Sequence, residues 1–460
     1  MEITEYYAFK LSKKIERLEI TSEEILETYY EKIEKINPKI NAIVSLKDKM
    51  LLLENCKKID SLRKRGKKLP PLAGLPIAIK DLEETKDIPT SYGSQMYSNF
   101  QPENDSPMVS NLRRSGLIII GKTNTPEFGV GGQTFNKVFG TTSNPLDSTK
   151  TAGGSSGGAA AAVKSKLIPF ADGSDMMGSL RTPASFCETY SIRPTPGLIT
   201  SNSILSDKLP KISTNGVIAR HPKDLALLLD ACIGKKSNLQ EIIGHRYLLK
   251  NVKACVPINY LDSILVDKKV KKQFYQYIEF LTKLGISIKK INFNFELNLI
   301  WDSWIDLRSK IISLNLKKEY DNNADLLKDT IIWEIERGKN LTDEDIKVAK
   351  KKRLFLAKKI NKILNVYNFL ILPSAQIFPF SKRDAFPKMI NGKETKTYHQ
   401  WLEITVLPSL VGLPVISIPQ NTGNIKTALA TQVIGPKNSE TRLLQLALQI
   451  FNASIKLEIR

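Results

Sequence analysis

The sequence is short of histidine and cysteine, with three of the first and four of the second in 460 residues. Cys56, Cys187, Cys232 and Cys255 lie far apart and offer neither a metal-ligand spacing nor a redox pair, so they read as reduced thiols. No apolar run is suited to crossing a bilayer. The longest uncharged stretch, Ile404 to Ile425, is broken by Pro408, Pro414 and Pro419 and fits packed strands and turns better than a membrane span. The amino end is charged from Glu2 onward and has no short apolar stretch ahead of a small-residue cleavage site, so no secretory leader is expected. Internal repeats and low-complexity linkers are absent too. With 42% hydrophobic and 25% charged residues, a disordered or collagen-like chain is excluded. The expectation is a soluble, cytoplasmic protein.

Acidic residues are also scarce relative to basic ones, 47 against 68, giving a net charge of +21. Such an excess raises the question of a nucleic-acid partner. Its distribution argues otherwise: +4 over residues 1–70, +1 over 71–230 and +16 over 231–460. The excess sits in lysine-rich stretches such as Lys350 to Arg353 and Arg63 to Arg65, without an RNA-binding aromatic signature or a zinc-finger spacing. The reading is a solvated lysine surface, with no nucleic-acid partner.

What is present is α/β patterning. Thr21 with Glu24 forms a capping box, and Ile25, Tyr29, Ile33 and Ile36 recur at helical spacing until Asn37-Pro38 is expected to end the run. A second charged helix is expected over Leu46 to Arg65. Pro76 to Ile79 is a short apolar run that stops at Lys80-Asp81, and Leu117 to Ile120 stops at Gly121-Lys122. Short apolar runs bounded by turn residues read as buried strands. Residues 221–232 and 441–451 read as helices packed on the same sheet. The organisation expected is one large α/β domain over 1–460: helices over 1–70, a core over 71–232, a variable helical region over 235–365, and closing strands and a helix over 366–460.

The near-neutral core holds the unusual sequence. Gly153, Gly154, Gly157 and Gly158 flank Ser155-Ser156, and Ala159 to Ala162 follow at the opening of a buried helix. Glycine lets such a loop enter an interior closed to bulkier residues. Val163, Leu167 and Ile168 are too apolar for a flexible linker, and no phosphate-loop or dinucleotide glycine pattern is present.

Together these segments resemble the amidase signature family of serine hydrolases. The resemblance rests on Gly74 to Asp81, Gly121 to Phe128, Gly153 to Gly158, Gly173 to Pro183, Leu372 to Ala375 and Gly412 to Pro419, and it is weakest between about 235 and 365. It implies one domain with a mixed β-sheet surrounded by helices, and hydrolysis of a carbon–nitrogen amide bond with neither cofactor nor metal. Carried over by residue, it makes Ser179 the nucleophile, Ser155 a bridging serine after a cis peptide from Gly154, and Lys80 the general base. Backbone N–H groups of Met176, Met177, Gly178 and Ser179 would stabilise the oxyanion. Ser156 would support the loop, and Asp175 with Arg181 would form a buried ion pair.

Physical chemistry allows these roles. An acyl-transfer site needs a nucleophile, a base and oxyanion donors. His221, beside Pro222, and His245 and His399, in weakly patterned polar segments, read as surface or capping residues, so lysine is the alternative base. Burial lowers a lysine pKa, and bringing it from ~10.4 to ~7–8 takes about 3–4 kcal/mol. One residue departs from the family's Gly-Gly-Ser: Met177 precedes Gly178-Ser179, so its side chain is expected to fill part of the acyl pocket. Ala430 also stands before Gln432 where glycine is expected. The partner implied is a small-molecule amide, with no membrane and with a homodimer left open. Two rivals stay open: the glutaminase subunit of a tRNA-dependent amidotransferase, and a catalytically silent binding protein of the same fold. Glu127 after Thr125-Pro126 is closer to stand-alone amidases.

Overall fold

The computed structural model describes residues 2–201, 209–234, 239–245 and 247–458. Three helices open the chain: α1 (Ala8–Glu16), α2 (Ser22–Ile40) and α3 (Lys49–Lys64). The Thr21–Glu24 capping box starts α2, whose Ile25, Tyr29 and Ile33 are buried. The helix does not stop at Asn37-Pro38. Pro38 falls in the last turn, where it forgoes only the bond to the Glu34 carbonyl, and the left-handed Asn41 ends the helix with its N–H on the Asn37 carbonyl.

Strands β1 (Pro76–Lys80) and β2 (Ile118–Thr123) pair in parallel, and the two-residue strand Ile43–Val44 flanks β2. Helix α4 (Gly157–Lys164) follows the serine-rich loop, with Ala159 to Ala162 fully buried. A Cβ on Gly158 would sit 2.4 Å from the Asn124 nitrogen, so only glycine lets the helix approach that backbone. Next come β3 (Phe170–Asp175), α5 (Arg181–Phe186), β4 (Tyr190–Arg193), β5 (Thr214–Ala219) and α6 (Pro222–Ile233).

Residues 235–365 are not simply a helical region. Lys253–Pro257 (β6) and Ser287–Ile291 (β7) pair in parallel around the helix Lys268–Lys283, ahead of helices α7 (Asn298–Asn315), α8 (Asp329–Lys339) and α9 (Asp343–Val366). The chain closes with β8 (Phe369–Pro373), β9 (Val415–Pro419), β10 (Ala430–Ile434) and α10 (Glu440–Glu458).

The central sheet has eight strands in the order β7-β6-β8-β10-β9-β4-β5-β3. The β7–β6 and β6–β8 pairs are parallel and the rest are antiparallel, a mixed sheet in one α/β domain. Helices α6 and α10 pack on each other and on the sheet, burying Leu225, Leu228, Leu443 and Leu444. All four cysteines are buried and free. Among the described residues, no helix is long and apolar enough to cross a membrane. The end of β1, the loop before α4 and the turn between β3 and α5 converge, and there the chemistry-bearing side chains meet.

Candidate active site

Lys80 ends β1 with 1% of its surface exposed. Its Nζ lies 2.7 Å from Ser155 Oγ, 2.8 Å from Ser156 Oγ and 3.0 Å from Ser174 Oγ. The Ser156 hydroxyl donates to the Ser174 carbonyl at 3.3 Å, so toward Lys80 it accepts. That leaves the Ser155 and Ser174 hydroxyls free to donate to a lysine lone pair. Burial pushes the Lys80 pKa down to about 7, partly offset by the charges of Asp172, Asp175 and Glu83. Near neutral pH a large share of the amine is therefore unprotonated. Asp172 braces the end of β1 by accepting the Lys80 backbone N–H at 3.0 Å.

The Gly154–Ser155 peptide is cis, as the resemblance implies. Ser179 sits half-buried in the turn after β3, its carbonyl accepting the Ser156 N–H at 3.1 Å. Asp175 and Arg181 form the anticipated buried pair, both fully enclosed. Arg181 Nε and Nη2 donate to the two carboxylate oxygens at 2.9 and 2.8 Å. Burial alone would raise the Asp175 pKa, but Arg181 and the nearby Arg193 hold it well below the usual carboxylate range. The other guanidinium edges of Arg181 reach across the fold to the Thr405 carbonyl, Ser409 Oγ and Gln432 Oε1.

Asp175 also revises the set of oxyanion donors. The Gly178 N–H donates to Asp175 Oδ1 at 2.8 Å and the Leu180 N–H to Oδ2 at 3.1 Å. Gly178 therefore shapes the turn, with a left-handed φ of +82° and no room for a Cβ beside Thr405. The N–H groups of Met176, Met177 and Ser179 have no protein acceptor among the described residues.

Ser155, Ser174 and Ser179 line one cavity of about 270 Å³, walled by apolar side chains including Leu82, Phe128, Ile312 and Leu402. Met177 lines it too and is 3% exposed. Its backbone is not left-handed, so methionine fits at this position without glycine's conformational freedom. Ala430 is likewise accommodated in β10, where its N–H donates to Ser185 Oγ at 2.8 Å.

The histidines divide three ways. His245 is exposed. His221 caps α6, its Nδ1 accepting the Lys223 N–H, but it is buried. His399 stands at the N-cap of the short helix Gln400–Thr405, but its side chain makes no capping bond and is not on the surface: it is 2% exposed and lines the cavity, with Trp301 and Trp333 of α7 and α8 against its ring. Among the described residues, no cluster of three His, Cys, Asp or Glu side chains could hold a metal ion.

A lysine enclosed by serine hydroxyls next to an arginine-braced turn is the geometry that comparison with known proteins has to account for. The model of the amidase family matches residues 24–444. The chain belongs to the amidase family. It is similar to a glutamyl-tRNA(Gln) amidotransferase subunit of Natranaerobius thermophilus, 28% identical over 98% of this chain and 96% of that protein. The corresponding glutamyl-tRNA(Gln) amidotransferase subunit of Clostridium acetobutylicum is 30% identical over 97% and 98%. Among solved structures, a bacterial aryl acylamidase of the amidase signature family superposes with a TM-score of 0.87 at 22% identity, covering 98% of this chain and 96% of that one. The glutamyl-tRNA(Gln) amidotransferase subunit from Thermotoga maritima gives 0.77 at 23% identity over 98% and 95%.

Within this amidase fold, sequence reasoning missed four polar residues of the site. Ser174 and Asp172 share a face of β3, a period-two signal readable around Gly173 once the strand is known. Arg193, fully buried 3.6 Å from Asp175, and Gln432 carry no local signal, since only the sheet order brings them to the turn.

Proposed function

We propose that this amidase family member hydrolyses a carbon–nitrogen amide bond of a small molecule through an acyl-enzyme on Ser179. The observation that carries this reading is the buried Lys80 amine, within hydrogen-bonding distance of Ser155 in the cavity that also holds Ser179. Neutral Lys80 takes the Ser155 proton, Ser155 takes the Ser179 proton, and Ser179 Oγ attacks the carbonyl carbon. Negative charge gathers on the carbonyl oxygen, for which the Met176, Met177 and Ser179 N–H groups are the available donors. As the C–N bond breaks, the proton held by Lys80 returns through Ser155 to the leaving amine. Water, deprotonated by the same relay, then attacks the acyl carbon and frees Ser179 and a carboxylic acid.

Lys80→Ala should slow acylation by about 10²–10⁴-fold with the fold intact. The measurement is single-turnover release from an aryl amide, with fluorophosphonate labelling of Ser179 and circular dichroism alongside. Unchanged turnover in the variant would end this mechanism, and a wild type that neither turns over nor labels would point to a silent protein.

A second reading is supported by the curated relatives. Their names make this chain a candidate glutaminase subunit of an amidotransferase acting on tRNA-bound glutamate. The near-neutral charge of residues 71–230, which hold Lys80, Ser155 and Ser179, supports the stand-alone reading. Glutamine hydrolysis that appears only with partner subunits and charged tRNA would favour the second.

A further inference from the structure

His399 is almost fully enclosed, and neither ring nitrogen has a hydrogen-bond partner among the described residues. The ring is held in place: Tyr398 stacks on it with centroids 4.3 Å apart, and Trp301 and Trp333 close around it at 5.4 and 5.7 Å. A nearby acceptor, Glu334 Oε1, is 3.7 Å from Nε2 and already accepts from Arg308 Nε at 2.7 Å and from the Tyr398 hydroxyl at 2.6 Å. Ser309 Oγ occupies the other Glu334 oxygen. A buried donor and acceptor left unpaired are costly, and this ring lines the same cavity as Ser155 and Ser179. Arg308 lines it too, and among the described residues its Nη1 meets only the Met176 thioether at 3.2 Å, a weak acceptor.

Charge decides what this end of the cavity can receive. The cations around it are already engaged: Arg308 pairs with Glu334 and Arg337 with Asp306, while Lys328 Nζ donates to the Val130 carbonyl within the field of the Glu127 carboxylate. Burial lowers the His399 pKa to about 3, so the imidazole is neutral and offers one donor and one acceptor. A carboxylate entering here would lack a free counter-charge, whereas an uncharged group with both a donor and an acceptor would pair one ring nitrogen and accept from Arg308 Nη1 without adding charge.

We propose that His399, with Arg308 Nη1, forms a binding subsite for an uncharged donor–acceptor group such as a second carboxamide, so that the preferred substrate is a diamide. This rests on the reading of the cavity as an amidase site. The test compares succinamide, succinamate and 4-methylpentanamide, which share length and differ in the terminal group. Succinamide should exceed both others in kcat/KM by at least about tenfold, and His399→Phe, which keeps the stacked ring, should collapse that ratio mainly through KM. Because the ratio is taken within one protein, a general loss of activity cancels. Binding to Ser179→Ala, followed by the His399 ring nitrogen shifts, repeats the comparison without turnover, and succinamide alone should move them. Equal values for the three compounds, a preference for succinamate, or a preference that survives His399→Phe overturns the proposal. Selective binding of succinamide with no hydrolysis of any compound would uphold the subsite and sink the amidase reading instead.

Discussion

Replacing Lys80 with methionine should make the protein more stable while abolishing its activity, and the gain should shrink as pH rises. Burial takes the Lys80 pKa from 10.5 to about 7, a difference of about 5 kcal/mol at 1.36 kcal/mol per unit. The sign follows from linkage. Below pH 7 both folded and unfolded chains carry the charge, so the whole penalty falls on the folded state. Between 7 and 10.5 the folded lysine is already neutral while the unfolded one keeps its proton, so wild-type stability recovers; above 10.5 no penalty remains. Lys80→Met removes that penalty but takes a partner from Ser155, Ser156 and Ser174, at a cost of about 1–3 kcal/mol. The variant should therefore exceed wild type by about 1–3 kcal/mol at pH 7, and the advantage should fall by about 2 kcal/mol by pH 9. Urea unfolding of both proteins at the two pH values measures this, since Lys122 and Lys328 titrate in each and cancel in the difference. An advantage independent of pH, or one that grows with pH, would refute a desolvated Lys80.

The same lysine predicts that kcat/KM drops about tenfold per pH unit below roughly pH 7, which a pH–rate profile on an uncharged amide checks. Met177→Gly should keep Ser179 reactive and shift selectivity toward bulkier acyl groups by ~10- to 200-fold, measured as kcat/KM on a short and a long acyl amide. An equal gain on both, from a nearly inert wild type, would mean that Met177 holds the donors turned away. Arg181→Met should cost about 3–5 kcal/mol, because the buried Asp175 carboxylate loses its bidentate partner; an unchanged unfolding midpoint would contradict that role.

The strands that end near Lys80 and Lys122 could be read from the sequence because buried strands must be short, apolar and bounded by turn residues. The Asp175–Arg181 pair could be anticipated for a different reason, since two opposite charges six residues apart straddle Ser179, the nucleophile that the family resemblance implies. His399 could not. Its neighbours Lys396, Thr397 and Gln400 give no burial pattern, and its enclosure comes from Trp301 and Trp333, on helices placed there by the tertiary fold. Strand β7 was hidden because it lies on the sheet edge: Ser287, Lys289 and Lys290 are exposed, and charge on an edge strand discourages further pairing at the expense of a clean strand signature. The Gly178 donor was misplaced because a backbone N–H has no sequence identity, and only the folded turn reveals that Asp175 holds it.

The strand order carries a consequence for synthesis. Strands β3, β4 and β5 form one end of the sheet and β6, β7 and β8 the other, and the two ends join only through β9 and β10, which follow all the others in the chain. Arg181 is anchored by the same late segment, through Thr405, Ser409 and Gln432. A chain emerging from the ribosome thus carries Lys80 and its serine neighbours long before the segment that braces the Arg181 turn. The turn that carries Ser179 therefore lacks these three anchors until Gln432 has emerged, and its bracing is the last part of the site to be completed.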